Sequence, residues 1–303
     1  MLRTVLTTSS PSAPGKLRRP AGALFLAASL SLLGLLSSGA SAAGVTASAT
    51  AKLPDLDQVP PSGLTIANYP APGGRKYYRI GFNSAVQNVG SGPLIVVAHR
   101  ATSTEPQMTA DQVVINSDGS GQTYPGIGRL QYIEARKLNG QADHQHWHYL
   151  GFDRFEIRKA KGYKRVRKDQ KQGFCLGDRY HIKNFSPPAG AAPRFTPSPD
   201  DRCGLQQPGL LTVTSGISVG YGDDYTAHLE GQEIDITGIK PGKYVLVHRT
   251  NSDRKLRESR YSNDASSALI RIYYPNGRNH GPQLKVLKVC GNSGKCSKRR
   301  KRR

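Results

Sequence analysis

Apolar and polar residues alternate in short runs along most of this 303-residue chain. Runs rich in Val, Ile and Tyr that end at Gly, Pro, Asn or Asp are typical of β-strands. No long stretch repeats its apolar residues with the period of an α-helix. The pattern predicts strands at 76–82, 93–99, 130–135, 144–157, 180–182, 209–213, 234–236, 244–248 and 268–274. The predicted fold class is therefore all-β, with a β-sandwich-like core and long irregular loops.

Stretches without this alternation indicate how the chain is divided. Residues 101–127 and 184–202 carry clusters of Gly and Pro, so we expect two long loops. Residues 43–74 are rich in Ala, Thr, Ser and Pro, which predicts a flexible lead-in. One domain is then expected over 75–290, followed by a basic tail at 291–303.

The first 42 residues have the pattern of a signal peptide. Lys16, Arg18 and Arg19 precede the apolar run 21–36, and Ala40-Ser41-Ala42 offers small residues for cleavage. The run is shorter than the roughly 20 residues of a transmembrane helix, so no membrane span is expected after cleavage. An uncleaved anchor is the alternative, and the two adjacent arginines leave twin-arginine export open.

Cysteine usage agrees with export. The four cysteines all follow the predicted signal peptide, and an oxidising compartment would pair them in one of three ways. Proximity along the chain favours Cys290 with Cys296 and Cys175 with Cys203. Free thiols that bind a metal are the alternative.

The formal net charge of +22 indicates an anionic partner. Basic residues concentrate at 158–168 and in the terminal run 298–303. Such clusters bind polyanions through electrostatics. For an exported protein, we expect an anionic cell-wall or matrix polymer and no specific nucleic acid, because no nucleic-acid motif is found. The alternative is a charged surface that only maintains solubility.

Three of the eight histidines fall within five positions of one predicted strand. His144, His146 and His148 alternate, so their side chains project from one face of that strand. Imidazole nitrogens suit copper and zinc, and the pattern predicts a site for either metal. The alternative is a set of solvent-facing histidines without a metal.

Several blocks of the sequence resemble the lysyl oxidase family. His-Gln-His-Trp-His at 144–148 is similar to the family's copper-binding stretch. Further blocks at 171–178, 223–244 and 258–263 resemble family motifs and occur in the same order. The similarity extends over about residues 76–274, so the domain at 75–290 looks like a secreted, bacterial-type lysyl oxidase domain.

The resemblance implies two cofactors and the residues that hold them. His144, His146 and His148 would bind copper(II). In the family, a tyrosine beside copper is oxidised to a quinone and cross-linked to a lysine. Tyr225 and Lys171 match that pair, so this chain is expected to form lysyl tyrosylquinone from them.

The resemblance also implies the reaction. A lysine side chain of a protein or a small primary amine would be oxidised to an aldehyde, with dioxygen consumed and ammonia and hydrogen peroxide released. Asp223 matches the family's aspartate two residues before the quinone tyrosine, and we expect it to act as the catalytic base. Asp224 is a weaker candidate, and either carboxylate could instead serve a turn.

Two other functions fit part of the sequence. A non-catalytic, secreted protein could bind copper through its histidines and an anionic polymer through its basic segments. A cupin-like metal oxygenase also uses closely spaced strand histidines, but it would require a carboxylate ligand and a further histidine. Neither alternative explains the blocks that contain Lys171 and Tyr225.

Overall fold

A computed structural model describes residues 49–135, 144–169, 171, 173–195, 203–227, 229 and 231–297. These residues belong to one compact unit, Ser48–Arg303. The predicted signal peptide at 1–42 lies outside the described residues. Within the described ranges, no helix has the length and apolar character that a membrane crossing requires.

The regular secondary structure of the described chain consists almost entirely of strands, which confirms the predicted all-β class. Two short 3-10 turns, Pro72–Gly74 and Arg278–His280, are its described helical elements. The strands are β1 Ala51–Lys52, β2 Leu56–Gln58, β3 Ser62–Pro70, β4 Lys76–Asn88, β5 Leu94–His99, β6 Gln107–Asn116, β7 Gly121–Ala135, β8 His144–Tyr149, β9 Asp153–Lys159, β10 Arg165–Lys168, β11 Tyr180–His181, β12 Thr212–Ile217, β13 Tyr221–Tyr225, β14 Glu233–Asp235, β15 Gly242–Thr250, β16 Ala265–Tyr273 and β17 Gln283–Cys290.

These strands form three antiparallel sheets. Sheet I has the order β12-β5-β6-β7-β8, and β1 pairs with β6. Sheet II has the order β10-β9-β15-β16-β17. Sheet III has the order β11-β13-β4-β14, and β2 and β3 also pair with β4. The histidine strand β8 lies at the edge of sheet I, whereas β13, which contains Tyr225, belongs to sheet III.

One hydrophobic core is shared by the three sheets. Phe82 of sheet III packs edge-on against Phe155 of sheet II, with ring centroids 4.9 Å apart. Phe155 in turn contacts Phe174 at 6.1 Å, and Phe174 contacts Tyr225 at 5.0 Å. Aromatic edge-to-face pairs of this kind add stability beyond the area that they bury. The row of rings connects the centre of the core to the neighbourhood of Tyr225.

The expected flexible lead-in is largely folded. Residues 51–70 contain β1, β2 and β3, which pair with β6 and β4. Leu56 is fully buried, and its backbone N–H donates a 2.7 Å hydrogen bond to Glu258. The Ser and Pro residues of this segment do not show a strand pattern. Its strands form because they pair with strands that lie further along the sequence.

The prediction of a loop at 101–127 is also wrong, since this segment contains β6 and the start of β7. Met108, Ala110 and Val114 alternate inward and are fully buried. The register between β6 and β7 shifts near Ala110. At that irregularity Gly126 has a φ of +71° and donates its N–H to Asp111, so Gly and Pro mark a bulge within the sheet.

The predicted strand 144–157 is two strands in two different sheets. Gly151 has a φ of +73°, a conformation that favours glycine, and it lies in the turn between β8 and β9. The chain therefore leaves sheet I directly after the histidines and enters sheet II. In the second predicted loop, residues 184–195 contain no strand, and 196–202 lie outside the described residues.

The two disulfides are those that proximity favoured, Cys175–Cys203 and Cys290–Cys296. Cys296 is buried, so the chain as far as Ser297 is held against the domain. The basic tail predicted at 291–303 therefore overlaps the folded region. Its charged run, 298–303, lies outside the described residues.

Candidate active site

The histidine strand β8 is buried on both of its faces. His146 and His148 project from one face, each less than a tenth exposed, with ring centroids 4.7 Å apart. On the other face, the Trp147 indole donates a hydrogen bond to the Gln207 carbonyl, and Arg100 lies over its ring. This packing excludes the alternative of solvent-facing histidines at 146 and 148.

The two described imidazoles suit a metal ion. They share one face of a strand and converge, and neutral imidazole nitrogen is a ligand for copper and for zinc. His144 begins β8, so its backbone follows the same alternation, but its side chain lies outside the described residues. No group of three metal-ligating side chains is found among those that are described. The imidazoles of His146 and His148 therefore fit copper and supply two of the three ligands predicted from the sequence.

The fold brings Lys171 and Tyr225 together. The Lys171 ammonium nitrogen lies 4.4 Å from the centroid of the Tyr225 ring and 4.8 Å from that of Phe174. Tyr225 is 6% exposed, and its hydroxyl donates a 2.8 Å hydrogen bond to the Cys175 carbonyl. A long cationic side chain held over two buried rings is unusual for a surface lysine, whose amine ordinarily extends into water.

Backbone contacts with β8 position the segment that contains Lys171. Tyr149 and Phe174 exchange two hydrogen bonds, N to O, of 2.8 and 3.1 Å. Gly173 has a φ of +120°, and a Cβ there would lie 2.6 Å from the Tyr149 carbonyl oxygen and 3.0 Å from the His148 Cβ. Only glycine permits this close approach. The approach places the lysine segment directly against the histidine strand.

The Cys175–Cys203 disulfide holds the same region from the other side. The Cys203 backbone carbonyl accepts a 2.9 Å hydrogen bond from the Trp147 backbone N–H, and the Cys175 backbone carbonyl accepts a hydrogen bond from the Tyr225 hydroxyl. The disulfide thereby links the backbone partner of β8 to the backbone partner of Tyr225. The histidine strand, the segment that contains Lys171, and Tyr225 are thus connected by one disulfide and a few hydrogen bonds.

Asp223 is buried beside Tyr225 and forms an ion pair with Arg179. Arg179 Nε donates a 2.6 Å hydrogen bond to Asp223 Oδ1. Burial raises the pKa of Asp223 from 3.8 to about 7, although Arg179 acts to lower it. Burial also raises the pKa of Tyr225 well above 10, and the Asp223 carboxylate adds to that rise. Both groups therefore favour their neutral forms more than exposed residues do.

Arg179 was not among the residues selected from the sequence. Besides Asp223, it donates to the Cys175 carbonyl at 3.2 Å, and its Cζ lies 5.3 Å from the Tyr225 ring centroid. It therefore contacts Asp223, Cys175 and the ring of Tyr225, the proposed redox residue. The available signal was its position directly after Asp178, the last residue of the block that begins at Lys171.

Asp224 points away from this group. Successive residues of a strand face opposite sides, and Asp224 is exposed whereas Asp223 and Tyr225 are buried. Asp224 lines a cavity of about 270 Å³ together with Ser62, Asn83 and Tyr180. Tyr225 also lines this cavity, whereas the buried Asp223 does not. The two aspartates therefore differ in burial and in the face of β13 that they occupy, and both are within two residues of Tyr225 in the chain.

Other residues of the recognised blocks hold the fold together. Asp178 accepts backbone hydrogen bonds from Ser218 at 2.7 Å and Phe195 at 3.1 Å. Gln232 is fully buried and donates a 2.8 Å hydrogen bond to Ser84. These blocks therefore contain structural residues as well as the candidate site.

The all-β fold, and the buried histidine strand packed against the segment of Lys171 beside Tyr225, are the arrangement expected from the resemblance to lysyl oxidases. Residues 198–279, which include Asp223 and Tyr225, match the family model described as Lysyl oxidase. Over these residues the chain is similar to the lysyl oxidase family.

Relatives of this chain include vertebrate proteins with modest identity. Protein-lysine 6-oxidase of Sus scrofa is 33% identical over 129 residues, covering 42% of this chain and 44% of that protein. The Homo sapiens protein of the same name is 32% identical over 129 residues, covering 42% and 26%. Lysyl oxidase homolog 1 of Homo sapiens is 30% identical over 122 residues, covering 40% and 18%. The matches thus span less than half the length of each relative, and they give no support to a bacterial-type assignment.

Proposed function

We propose that this protein is a secreted, copper-dependent amine oxidase that converts primary amines to aldehydes, consuming dioxygen and releasing ammonia and hydrogen peroxide. The observation that carries the proposal is the Lys171 amine, 4.4 Å from the centre of the buried Tyr225 ring. This contact places the amine beside the ring to which it would have to bond in the proposed cofactor.

The resemblance proposes the residues that would hold the cofactors, and the described geometry supports part of this set. His144, His146 and His148 would bind copper(II), while Lys171 and Tyr225 would form lysyl tyrosylquinone. When formed, that quinone supplies an electrophilic carbonyl for the substrate amine, and copper with dioxygen supplies its oxidation. The Tyr225 hydroxyl is held by the Cys175 carbonyl, which fixes the orientation of the ring toward the Lys171 amine.

Asp223 is the proposed catalytic base. Its pKa of about 7 suits a group that accepts and returns a proton near neutral pH. Arg179 holds one carboxylate oxygen, Oδ1, through its Nε, and the other oxygen, Oδ2, is buried. In this arrangement Arg179 is a positioning residue, and Asp223 carries the proton.

The substrate class and the compartment are part of the proposal. The relatives are named protein-lysine 6-oxidases, which favours a lysine side chain of a protein, and a small amine is the other candidate. Two disulfides favour an oxidising, extracellular setting. The net charge of +22 would repel a cationic amine at long range, so a polyanion such as a matrix or cell-wall polymer is the further partner that we expect.

The proposal is tested by peroxide production from the full chain expressed with copper. The wild type is expected to show a quinone absorption band and to release peroxide from a lysine-containing peptide. Tyr225→Phe and Lys171→Arg should abolish both signals. Tyr221→Phe is the matched control, because Tyr221 lies on the same strand and contacts His181 instead of Lys171.

Two outcomes would reject the proposal. The first is undiminished peroxide release by Tyr225→Phe. The second is copper binding without any peroxide release in the wild type, which would favour the non-catalytic, copper-binding alternative.

A further inference from the structure

The cavity of about 270 Å³ that Asp224 lines is not used by the proposed chemistry. Its walls come from the chain between β2 and β3, from β4, from Tyr180 of β11 and from the end of β13. Drug-sized ligands occupy about 300–1,000 Å³, so this volume suits a smaller group, such as one long side chain. We call it the Asp224 cavity.

Tyr180 gives the Asp224 cavity an aromatic wall. A Cβ at Gly222 would lie 2.3 Å from the Tyr180 Cζ, so the ring lies directly against the backbone of β13, where glycine allows a close approach. The Gln87 side chain donates a 3.0 Å hydrogen bond to the Tyr180 hydroxyl. The ring is therefore held in place beside Asp224.

The charge of this cavity is opposite to that of the whole protein. Asp224 is the single charged residue among the described residues that line it, although the chain has a net charge of +22. Burial raises the pKa of the Tyr180 hydroxyl, and the carboxylates of Asp224, Asp223 and Asp57 raise it further. The Tyr180 ring thus lies in a region of negative potential.

The Asp224 carboxylate is available to a cation from outside. Its side chain is exposed, because it lies on the opposite face of β13 from the buried Asp223 and Tyr225. Within the described ranges, no lysine, arginine or histidine forms an ion pair with it. The cavity therefore combines a carboxylate and an aromatic ring without a cation of its own.

A primary ammonium group matches this combination. It has three N–H donors and no acceptor, so it can donate to the Asp224 carboxylate. Its charge is also attracted to the face of an aromatic ring such as that of Tyr180. Calcium and magnesium require about six oxygen ligands, commonly with several carboxylates, whereas the lining offers one carboxylate.

We propose that the Asp224 cavity binds the primary ammonium group of an organic amine, with Asp224 as the counter-ion and Tyr180 as the aromatic wall. Asp224 and the Tyr225 ring lie on opposite faces of β13, so the bound ammonium is not the one that would react. It belongs either to a second amine of the substrate, which rests on the proposed function, or to a separate amine that is not oxidised.

Binding is measured on the full chain carrying Tyr225→Phe, which cannot form the proposed quinone and therefore consumes no amine. Pentylamine and the uncharged pentanol are titrated and followed by NMR. We expect pentylamine to bind more tightly than pentanol. Adding Asp224→Asn should weaken pentylamine binding about threefold, as for the loss of an exposed ion pair, and should change pentanol binding by less than about twofold.

Asp253→Asn is the matched control. Asp253 is an exposed carboxylate in the loop after β15, and its nearest cations lie at 3.9 and 4.0 Å. This variant removes the same charge outside the cavity. Pentylamine binding should stay within about twofold of that of the parent protein, because the solvent screens a distant charge.

Two variants test the aromatic wall. Tyr180→Phe keeps the ring and should retain pentylamine binding within about twofold. Tyr180→Leu removes the ring and should weaken binding about threefold, the effect of one exposed cation–π contact. Recovery in the Phe variant separates the ring from a general loss of packing; if Tyr180→Leu does not fold, Asp224→Asn decides the inference.

The source of the ammonium is determined with wild-type protein loaded with copper. Cadaverine carries two ammonium groups and pentylamine carries one. If the cavity holds a second amine of the substrate, Asp224→Asn should lower the ratio of kcat/KM for cadaverine to that for pentylamine about threefold. An unchanged ratio, with weaker binding in the NMR titration, assigns the cavity to a separate amine.

Three results would overturn the inference. One is equal pentylamine affinity with and without Asp224→Asn. Another is an equal loss in Asp253→Asn, which would mean that only net charge matters. The third is pentanol binding as tightly as pentylamine. If the wild type releases no peroxide from any amine, the proposed function fails, and the NMR titration still decides whether the cavity binds an ammonium group.

Discussion

Asp223 combines burial with an arginine partner, and its protonation should control the reaction. Its pKa in the folded protein is about 7, raised from 3.8, so the carboxyl group is mostly protonated below pH 6. A base must be ionised to accept a proton. We expect kcat/KM for peroxide release to rise about tenfold per pH unit below pH 6 and to level off above pH 8. A pH profile that is flat between 5 and 8 would contradict this role.

Arg179→Gln should move that profile. The guanidinium lowers the pKa of Asp223, and its loss should shift the acid limb of kcat/KM upward by about one pH unit. Arg165→Gln is the control, because Arg165 pairs with Glu156 on sheet II. A residue that only supported the fold would lower activity without moving the limb. An unshifted limb in a folded Arg179→Gln protein would refute the positioning role.

The sequence predicted the individual site residues better than it predicted their partners. Alternation alone placed His146 and His148 on one face of a strand, and the structure has both on one buried face. The ion pair between Arg179 and Asp223 could not be predicted in this way. It joins residues 44 positions apart, Arg179 directly before β11 and Asp223 on β13, and nothing local to either residue identifies the other.

Gly173 controls how the lysine segment docks on the histidine strand. In Gly173→Ala the new Cβ would lie 2.6 Å from the Tyr149 carbonyl oxygen, in a backbone conformation that disfavours a side chain. We expect a loss of about 2–4 kcal/mol in the free energy of unfolding, measured by urea denaturation, because backbone must shift. Gly209→Ala is the control, since no atom lies within 4 Å of its Cβ position. Equal stabilities of the two variants would show that the close approach is not required.

The two disulfides should differ in their effect on stability. Cys175 and Cys203 are 28 positions apart, whereas Cys290 and Cys296 are 6 apart. Replacing both members of a pair by Ser should cost about 3–4 kcal/mol for the longer loop and about 2 kcal/mol for the shorter one, because a longer loop restricts the unfolded chain more. Thermal unfolding of the two double variants checks the order. The reverse order would mean that native packing around Cys296 outweighs loop closure.

A strand could be predicted from the sequence where apolar and polar residues alternate without interruption. Which strands pair with one another could not be predicted. The predicted run 93–99 agrees closely with β5, Leu94–His99. The segments 51–70 and 101–127 were misread because Ser, Pro and Gly outnumber the inward-facing residues there. Their strands are held by hydrogen bonds to distant strands, and such pairing is set by tertiary contacts that single-sequence propensity does not contain.

The net charge of +22 should make the stability of the whole protein depend on salt. Self-repulsion of a highly charged chain opposes compaction, and added salt screens it. We expect the melting temperature to rise by a few degrees between about 0.01 M and 0.15 M salt. Truncation after Ser297 removes six basic residues and should reduce this rise. A melting temperature that falls with salt would show that attractive ion pairs dominate.

The assembly of three sheets around one core lies beyond what patterning predicts. The sequence indicated many short strands and therefore an all-β class, which the structure confirms. Which strands share a sheet depends on contacts such as that of β4 with β2, β3, β13 and β14. The turn at Gly151 shows the difficulty, because an uninterrupted apolar pattern continues across a change of sheet.

A covalent bond between Lys171 and Tyr225 is the feature on which the proposed oxidase activity depends, and it can be measured directly. Full-length protein would be loaded with copper in air, reduced to open both disulfides, digested and examined by mass spectrometry. We expect one cross-linked species that joins the Lys171 and Tyr225 peptides, absent from Tyr225→Phe and from protein prepared without copper. Recovery of both peptides unlinked and unoxidised, from protein that binds copper and is folded, would contradict it.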